Sequence, residues 1–501
     1  MVVSGGFDAF VGNPPFAGKN LLQAGNRDGF IDWLQATVPD AHGSSDLVAY
    51  FFRGAFARLR DGGTMGMVAT NSIAQGDTRF TGLRWICTHG GEIFDARRRI
   101  RWSGTAAVVV CAVHIMRGVP RGPRLLDGKP VAQISAFLFP SASSENPALL
   151  ASNRGRSFVG AYVLGAGFTF DDAHTEDGAS PLALMNDIIT KDPRNANLIA
   201  PYMGGEQVNS SPTLDAGRYI IDFGEMSKEQ ASEWPDLFAI VEDKVQKSRR
   251  SVARKDRRET WWLYATRVPE ARAYSAKHGR LLIASQVSTH LAFVFCGPGA
   301  VLPHTLAIIL MHSWGGFAVV QARVHEAWAR HLGSSMKDDP RYTPSDCFET
   351  FPLPVNYEAT PGLEAIGRIY YEFRAALMVK NNEGLTKTCN RFHAPEETSP
   401  GIVKLRELHA QMDRAVLDAY GWNDIEPVYD FREQLDEHVR LTWAEDTRDE
   451  VLARLLELNR VRAEEESKAA PKVDAKVPKK AAKRKGKAEE TTEKLFGGDD
   501  G

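Results

Sequence analysis

With 501 residues, 43% of them apolar and 25% charged, the chain has an ordinary globular composition and enough length for roughly two to four domains. A formal net charge of -2 excludes a uniformly basic nucleic-acid binder, although local basic clusters can still meet phosphates. Five scattered cysteines without a C-x-x-C pair exclude a disulfide framework and a zinc ribbon, and no apolar run or export signal suits a membrane, so a cytoplasmic protein with reduced thiols and no membrane partner is expected.

Taken in chain order, Phe7 to about Met116 alternates short apolar runs with helical patterns, as in an α/β sheet buried on both faces. Phe7–Gly12 reads as a strand. A helix over Asp46–Arg60 closes at Asp61-Gly62-Gly63, and strands follow over Met65–Thr70, Gly91–Asp95 and Ala106–Ile115. The fold class is therefore the second half of a doubly wound, Rossmann-like sheet, entered midway. From Ser157 to Pro354 short mixed strands and isolated helices form an α+β domain, one helix being capped by Ser227 with Gln230. Leu363–Lys380, Ile402–Tyr420 and Glu450–Glu466 carry helical periodicity. Ser467–Gly501, rich in Lys, Ala, Pro and Glu, reads as a disordered tail whose Lys479–Lys487 cluster suits phosphate contact or solubility. The expected division is 1–150, 151–356, 357–466 and 467–501.

The residues that carry chemistry are Asn13, Pro14, Pro15 and Phe16. Two prolines directly after a strand hold the backbone rigid at the carboxyl end, where open α/β sheets place ligands. An exocyclic amine is a poor nucleophile because its lone pair is delocalised into the ring. Acceptors at the Asn13 side chain and the Pro14 carbonyl can bind its two hydrogens and favour the pyramidal form. Phe16 offers a face on which to stack an extruded base.

This stretch resembles the γ-class amino-methyltransferases of DNA, in particular the large type IIG-like restriction-modification and phage-defence adenine methylases that join methylase and target recognition in one chain. Four further segments share the resemblance: Asp46–Ser72, Arg101–Val108, Arg341–Pro354 and Leu385–Trp422. It implies adenine-N6 rather than cytosine-N4 transfer, S-adenosylmethionine as donor, double-stranded DNA as substrate, a target-recognition domain over 151–356 and a helical C-terminal region over 357–466. It also implies that Trp102, Ser103 and Thr105 line the target-base pocket, and that a restriction or defence partner accompanies the enzyme.

In the γ-class order the glycine-rich donor loop precedes the catalytic tetrapeptide, and here twelve residues precede it. The donor half then lies on another polypeptide, or the chain is truncated, or the order is permuted. Two segments test the last option, Phe295-Cys-Gly297-Pro-Gly299 and Gly165-Ala-Gly167. The first is followed by no acidic residue before Glu326 and the second opens no helix, so both read as strand-end turns. The tetrapeptide names the reaction, and the chain is expected to need help to perform it.

Lys244, Lys247, Arg249, Arg250, Arg254, Lys255, Arg257 and Arg258 crowd one predicted helical stretch before Trp261-Trp262, and are read as phosphate contacts, with Lys247, Ser251, Arg254 and Arg258 on one face. Pro235-Asp236 with Glu242-Asp243-Lys244 spells a nuclease signature, yet lies on a single helix where the carboxylates cannot converge on a metal, so no cleavage is expected from this chain. His290, His304, His312, His325 and His331 lack the spacing of a zinc site and are read as polar and core residues, with no metal expected. Two other classes stay open: a non-catalytic DNA-binding specificity fragment that relies on a separate donor-binding chain, and a methyltransferase acting on a glutamine amide or RNA.

Overall fold

The computed structural model describes residues 5–102, 109–140, 144–336, 339–433 and 438–469. Its first layer is a six-stranded mixed sheet built from β1 (Phe7–Gly12), β2 (Leu59–Thr70), β3 (Gly91–Arg101), β4 (Val109–Arg117), β5 (Arg124–Leu126) and β6 (Lys129–Val131). The order is β1-β2-β4-β3-β5-β6, with β1 parallel to β2 and β4 inserted antiparallel between β2 and β3. Antiparallel pairing on both sides of β4 makes β3 run in the direction of β1 and β2, so these three strands end at one edge.

The helix Leu47–Arg58 makes the crossover between β1 and β2, burying Val48, Phe52 and Phe56 against the sheet. It stops at Arg58 and β2 starts at once, so Asp61-Gly62-Gly63 is no helix terminator. Phe7 pairs with Leu59 and Ala9 with Thr64, which leaves the glycines as an irregularity inside the strand. Gly63 is required there, since a Cβ would lie 2.8 Å from the Phe7 carbonyl oxygen. The strand expected over Gly91–Asp95 continues to Arg101 through a register shift between Arg97 and Ile100.

The second layer begins with β7 (Ser157–Val159). A three-stranded sheet of β8 (Thr169–Phe170), β9 (Ile199–Pro201) and β10 (Tyr219–Ile221) packs with the helix Pro235–Val241 around Phe168, Phe170, Ile220, Phe238 and Trp261. The chain enters this lobe after Tyr162 and leaves it after Tyr264, and the two ends are stapled: Ala265 N–H donates to the Tyr162 carbonyl at 2.8 Å and Tyr162 N–H to Thr266 Oγ1 at 3.1 Å. A four-stranded antiparallel sheet, β12-β11-β13-β7, follows, with β11 at Leu281–Ser285, β12 at Val294–Cys296 and β13 at Leu306–Ile309. Ser227 caps its helix with Gln230 in the expected reciprocal pair, at 3.3 and 2.8 Å.

The expected C-terminal helices are present as Pro361–Asn381, Pro400–Ala419 and Glu445–Ala469, joined by Leu385–His393. Their apolar faces complete a core with β11, β13 and the helices Trp314–Gln321 and Arg323–Leu332. Residues 5–463 belong to one unit and Glu464–Gly501 falls to a second, of which 470–501, including Lys479–Lys487, lie outside the described residues. Among the described residues no helix is long and apolar enough to cross a membrane.

Trp328 is wholly buried in the shared core and donates its indole N–H to Thr350 Oγ1 at 3.1 Å. Trp328→Ala is expected to cost about 3–5 kcal/mol of stability, read by urea unfolding.

Candidate active site and nucleic-acid interface

Asn13 to Phe16 follow β1 directly, at the carboxyl edge of the sheet. Asn13 is exposed and its side chain has no hydrogen-bond partner among the described residues, so its acceptor is free to meet a substrate. Pro14 is buried, Pro15 is exposed, and Phe16 is half-buried and packed against the sheet core.

The segment is held in place by Asp46, whose carboxylate oxygen Oδ1 accepts from Ala17 N–H at 3.1 Å and, as helix cap, from Val48 N–H at 3.0 Å. Leu47 N–H returns a bond to the Ala17 carbonyl at 3.0 Å. A single side chain thus caps the crossover helix and ties down the turn that follows β1. Asp46 N–H in turn donates to Thr78 Oγ1 at 3.0 Å, and Ser45 meets Thr81 at 2.7 Å, which anchors the turn to the helical segment after β2.

The carboxyl edge gathers two other chain ends. β2 ends in Asn71–Ala74, a single 3-10 turn in which Thr70 and Ser72 hydroxyls lie 2.7 Å apart. β3 ends at Arg101, paired with Val109 while Thr70 pairs with Val110, and Trp102 follows with 40% of its surface exposed. Asn13–Phe16 and Trp102 therefore share one edge. Ser103 and Thr105 lie outside the described residues.

Among the described residues no strand pairs with β1 on its far side. Val11 is 91% exposed and Phe7 41%, and Phe7, Asp8, Ala9 and Val11 expose both faces of the strand. Parallel strands are normally covered on both faces.

The two glycine segments are turns. Gly297 and Gly299 follow β12, which pairs antiparallel with β11, and lead through an irregular stretch to β13; Gly165-Ala-Gly167 forms a 3-10 turn into β8.

The basic stretch differs from its expected form. The helix beginning at Pro235 ends at Arg249, a turn spans Arg250 to Arg254, and a short helix covers Lys255–Glu259, so Lys247, Ser251, Arg254 and Arg258 do not share a helical face. Arg249 points inward, 2% exposed, and donates to the carbonyls of Val163, Leu164 and Leu263. Burial pulls its pKa down to about 10. Lys244 donates to the Ala179 carbonyl at 2.9 Å. Lys247 pairs with Asp243, Arg254 with Asp256 and Lys255 with Glu259, all on the surface. Arg257 is half-buried; Arg250 and Arg258 are exposed and, with Lys228, Gln246 and Trp262, line an open cavity of about 560 Å³.

Sequence reasoning did not find the role of Asp46 in holding the turn after β1, although an Asp before an apolar helical run marks the cap. It also missed Lys228, which lies sixteen residues before the basic stretch and joins it only through folding.

Residues 8–124 match the family model of the MmeI DNA-methyltransferase domain, and residues 179–355 that of the MmeI target recognition domain. This chain carries both MmeI-type domains. The resemblance read from Asn13–Phe16 and the later motifs holds for the two domains in order. The structure of the type IIL restriction-modification enzyme MmeI in complex with DNA aligns with 91% of this chain at a TM-score of 0.59 and 18% identity, and so shares the fold. This chain spans 57% of the length of that one. The type IIG restriction endonuclease BpuSI and the DrdV–DNA complex align at TM-scores of 0.31 and 0.32, each at 11% identity, over 83% and 84% of this chain and 54% and 57% of theirs. None of the curated proteins compared matches it.

Of the clustered histidines, His325 and His331 are enclosed beside aromatic rings, and burial holds the pKa of each down to about 3. Their folded values lie below the ordinary 6.5, so the neutral rings keep their full contribution above about pH 6.5 and lose it as pH falls towards 3. Melting temperature measured across that window is expected to fall steadily, and replacing either ring by an uncharged side chain should flatten the slope.

Proposed function

We propose that this chain supplies the catalytic and target-recognition parts of a DNA adenine-N6 methyltransferase that draws its methyl group from S-adenosylmethionine, within a restriction-modification or phage-defence system. The observation that carries the reading is the placement of Asn13 and Pro14, at the end of β1 in an MmeI-type methyltransferase domain, with the Asn13 acceptor exposed and its turn clamped by Asp46. Asn13 Oδ1 and the Pro14 carbonyl accept the two amine hydrogens of an extruded adenine, which returns lone-pair density to the nitrogen. Phe16 stacks the ring and Trp102 borders it from the β3 end; Ser103 and Thr105, outside the described residues, are assigned to the same pocket on the resemblance of Arg101–Val108 alone. S-adenosylmethionine, if bound, would supply an electrophilic methyl group to that nitrogen.

The donor's own loop is not fitted by the described residues, since the two glycine segments are turns in the recognition domain. The uncovered β1 supports a donor-binding half that pairs along its free edge, whether from a separate chain or from further polypeptide of this one. The domain division at 150, 356 and 466 belongs to the same reading. DNA contact is assigned to the exposed cations Lys228, Arg250 and Arg258, with Lys247, Arg254 and Lys255 at the rim and Arg257 behind them, while Arg249 and Lys244 hold the lobe together.

Long-read sequencing of the native host's DNA tests the chemistry. One sequence motif should carry N6-methyladenine and lose it in Asn13→Ala, a loss on the order of 100-fold in rate. Persistence of the mark, or its absence from the parent strain, overturns the reading in favour of a non-catalytic DNA-binding fragment. The interface has its own measurement: in the purified chain, Arg250→Ala with Arg258→Ala should weaken duplex binding and reduce the salt slope by about 2, with melting temperature unchanged.

A further inference from the structure

The register shift in β3 is held by an unusual arrangement. Arg99 lies there with a left-handed backbone, φ 55°, in a residue that carries a side chain. Two other left-handed non-glycine residues, Asp127 at φ 50° and Leu138 at φ 57°, converge on its neighbour Arg98. Asp127 accepts from Arg98 N–H at 2.7 Å and lies 2.6 Å from the guanidinium, and the Leu138 carbonyl accepts from Nη1 at 3.1 Å. Such conformations are sparsely populated and persist where the surroundings over-determine them.

The remaining partners come from the C-terminal helix Glu445–Ala469. Asp449, only 4% exposed, sits 2.7 Å from Arg98 Nη2 and 3.7 Å from Arg99 Nη2, while Glu445 sits 2.6 Å from Arg99 Nη1. A buried ion pair is weak evidence for stability and is better suited to specifying a geometry. The geometry specified here is that of the strand end: one residue beyond the shift lies Ile100, and β3 then closes at Arg101 and Trp102 on the catalytic edge.

The same helix reaches the recognition domain. Ten residues on from Asp449, Asn459 accepts from Ala148 N–H at 2.8 Å and donates to the carbonyls of Ala148 and Thr350 at 2.9 and 2.6 Å. Those two segments flank the chain's entry to and exit from the recognition domain, where Leu150 N–H meets the Glu349 carbonyl at 2.9 Å. A helix is stiff over such a span.

We propose that Asp449 is a positioning residue for methyl transfer: through Arg98 and Arg99 it sets the course of Ile100–Trp102, and through its helix it couples that edge to the recognition domain. This rests on the methyltransferase reading given above. Base-accepting geometry then depends on a charge at the far end of the sequence, and small displacements there are costly to rate but not to DNA affinity.

Asp449→Asn in the full chain tests it, read by hydrogen exchange resolved to single peptides and by motif methylation in the host. Amides of Ile100–Trp102 should lose about tenfold in protection while the helix Pro361–Asn381 keeps its own. Methylation should fall on the order of tenfold or more, with duplex affinity unchanged and Asp449→Glu restoring part of it. Unchanged protection at β3, or a loss of protection spread over both regions, overturns the proposal. Should Asp449→Asn fail to fold, Glu445→Gln, at the exposed end of the same network, should show the β3 effect alone; no change there also overturns it. A host without the Asn13-dependent mark would defeat the methyltransferase reading, and the exchange measurement would still decide whether Asp449 sets the course of β3.

Discussion

Two parallel strands cannot be joined by a tight turn; the chain must leave the sheet, cross over it and return in the same direction. Between β1 and β2 that crossover is Leu47–Arg58, and where it starts determines where the residues after β1 lie. Asp46 accepts from both Ala17 and Val48, so the beginning of the helix and the turn of Asn13–Phe16 form one hydrogen-bonded unit. Everything at the carboxyl edge is referred to it. β2 is laid against β1 by the return, β4 against β2, and β3 against β4, which brings Trp102 to the side of the sheet where Asn13 ends β1.

The charged interior divides into two kinds of device. Arg249 satisfies backbone carbonyls that no secondary structure reaches, and acts as a bolt between Val163, Leu164 and Leu263. Glu326, between Arg323 and Arg330, holds its proton less tightly than an ordinary carboxyl: burial alone would raise the pKa, and the two guanidiniums more than offset it. Burial of this kind adds little net stability, since desolvation offsets attraction, but it leaves few alternative packings. Around Arg98 the same economy is applied to a strand rather than to a core.

What the residues reveal before folding is what neighbours in sequence decide. The tetrapeptide after an apolar strand, the Ser227 cap with Gln230 and the periodic helices of the C-terminal region are local patterns, and all three are present as read. The helix break after Arg249 was hidden because charged residues score well as helix formers; it coincides with the residue that is drawn inward to carbonyls some 85 residues away in sequence. The length of β3 was hidden for a similar reason. Of the three consecutive arginines, Arg98 and Arg99 meet carboxylates from the far end of the chain, which no local pattern announces. At the candidate site, the acceptor and its position were legible, while the clamp beneath it and the cavity around Arg250 are products of distant segments.

The staple at Tyr162, Ala265 and Thr266 makes the lobe between them a detour that leaves the main path and rejoins it at almost the same point. Between those ends the lobe also meets its frame: Val301 N–H donates to the Pro201 carbonyl at 2.8 Å, Met203 N–H donates to the Val301 carbonyl at 3.2 Å, and Met203, Val208 and Ala216 join the core around β11 and β13. The lobe keeps most of its apolar side chains in a core of its own and turns outward the cavity that Lys228, Arg250 and Arg258 line together with Glu229 and Glu259. A replacement for this excursion would therefore have to match the frame along Pro201–Val208 as well as at its two ends.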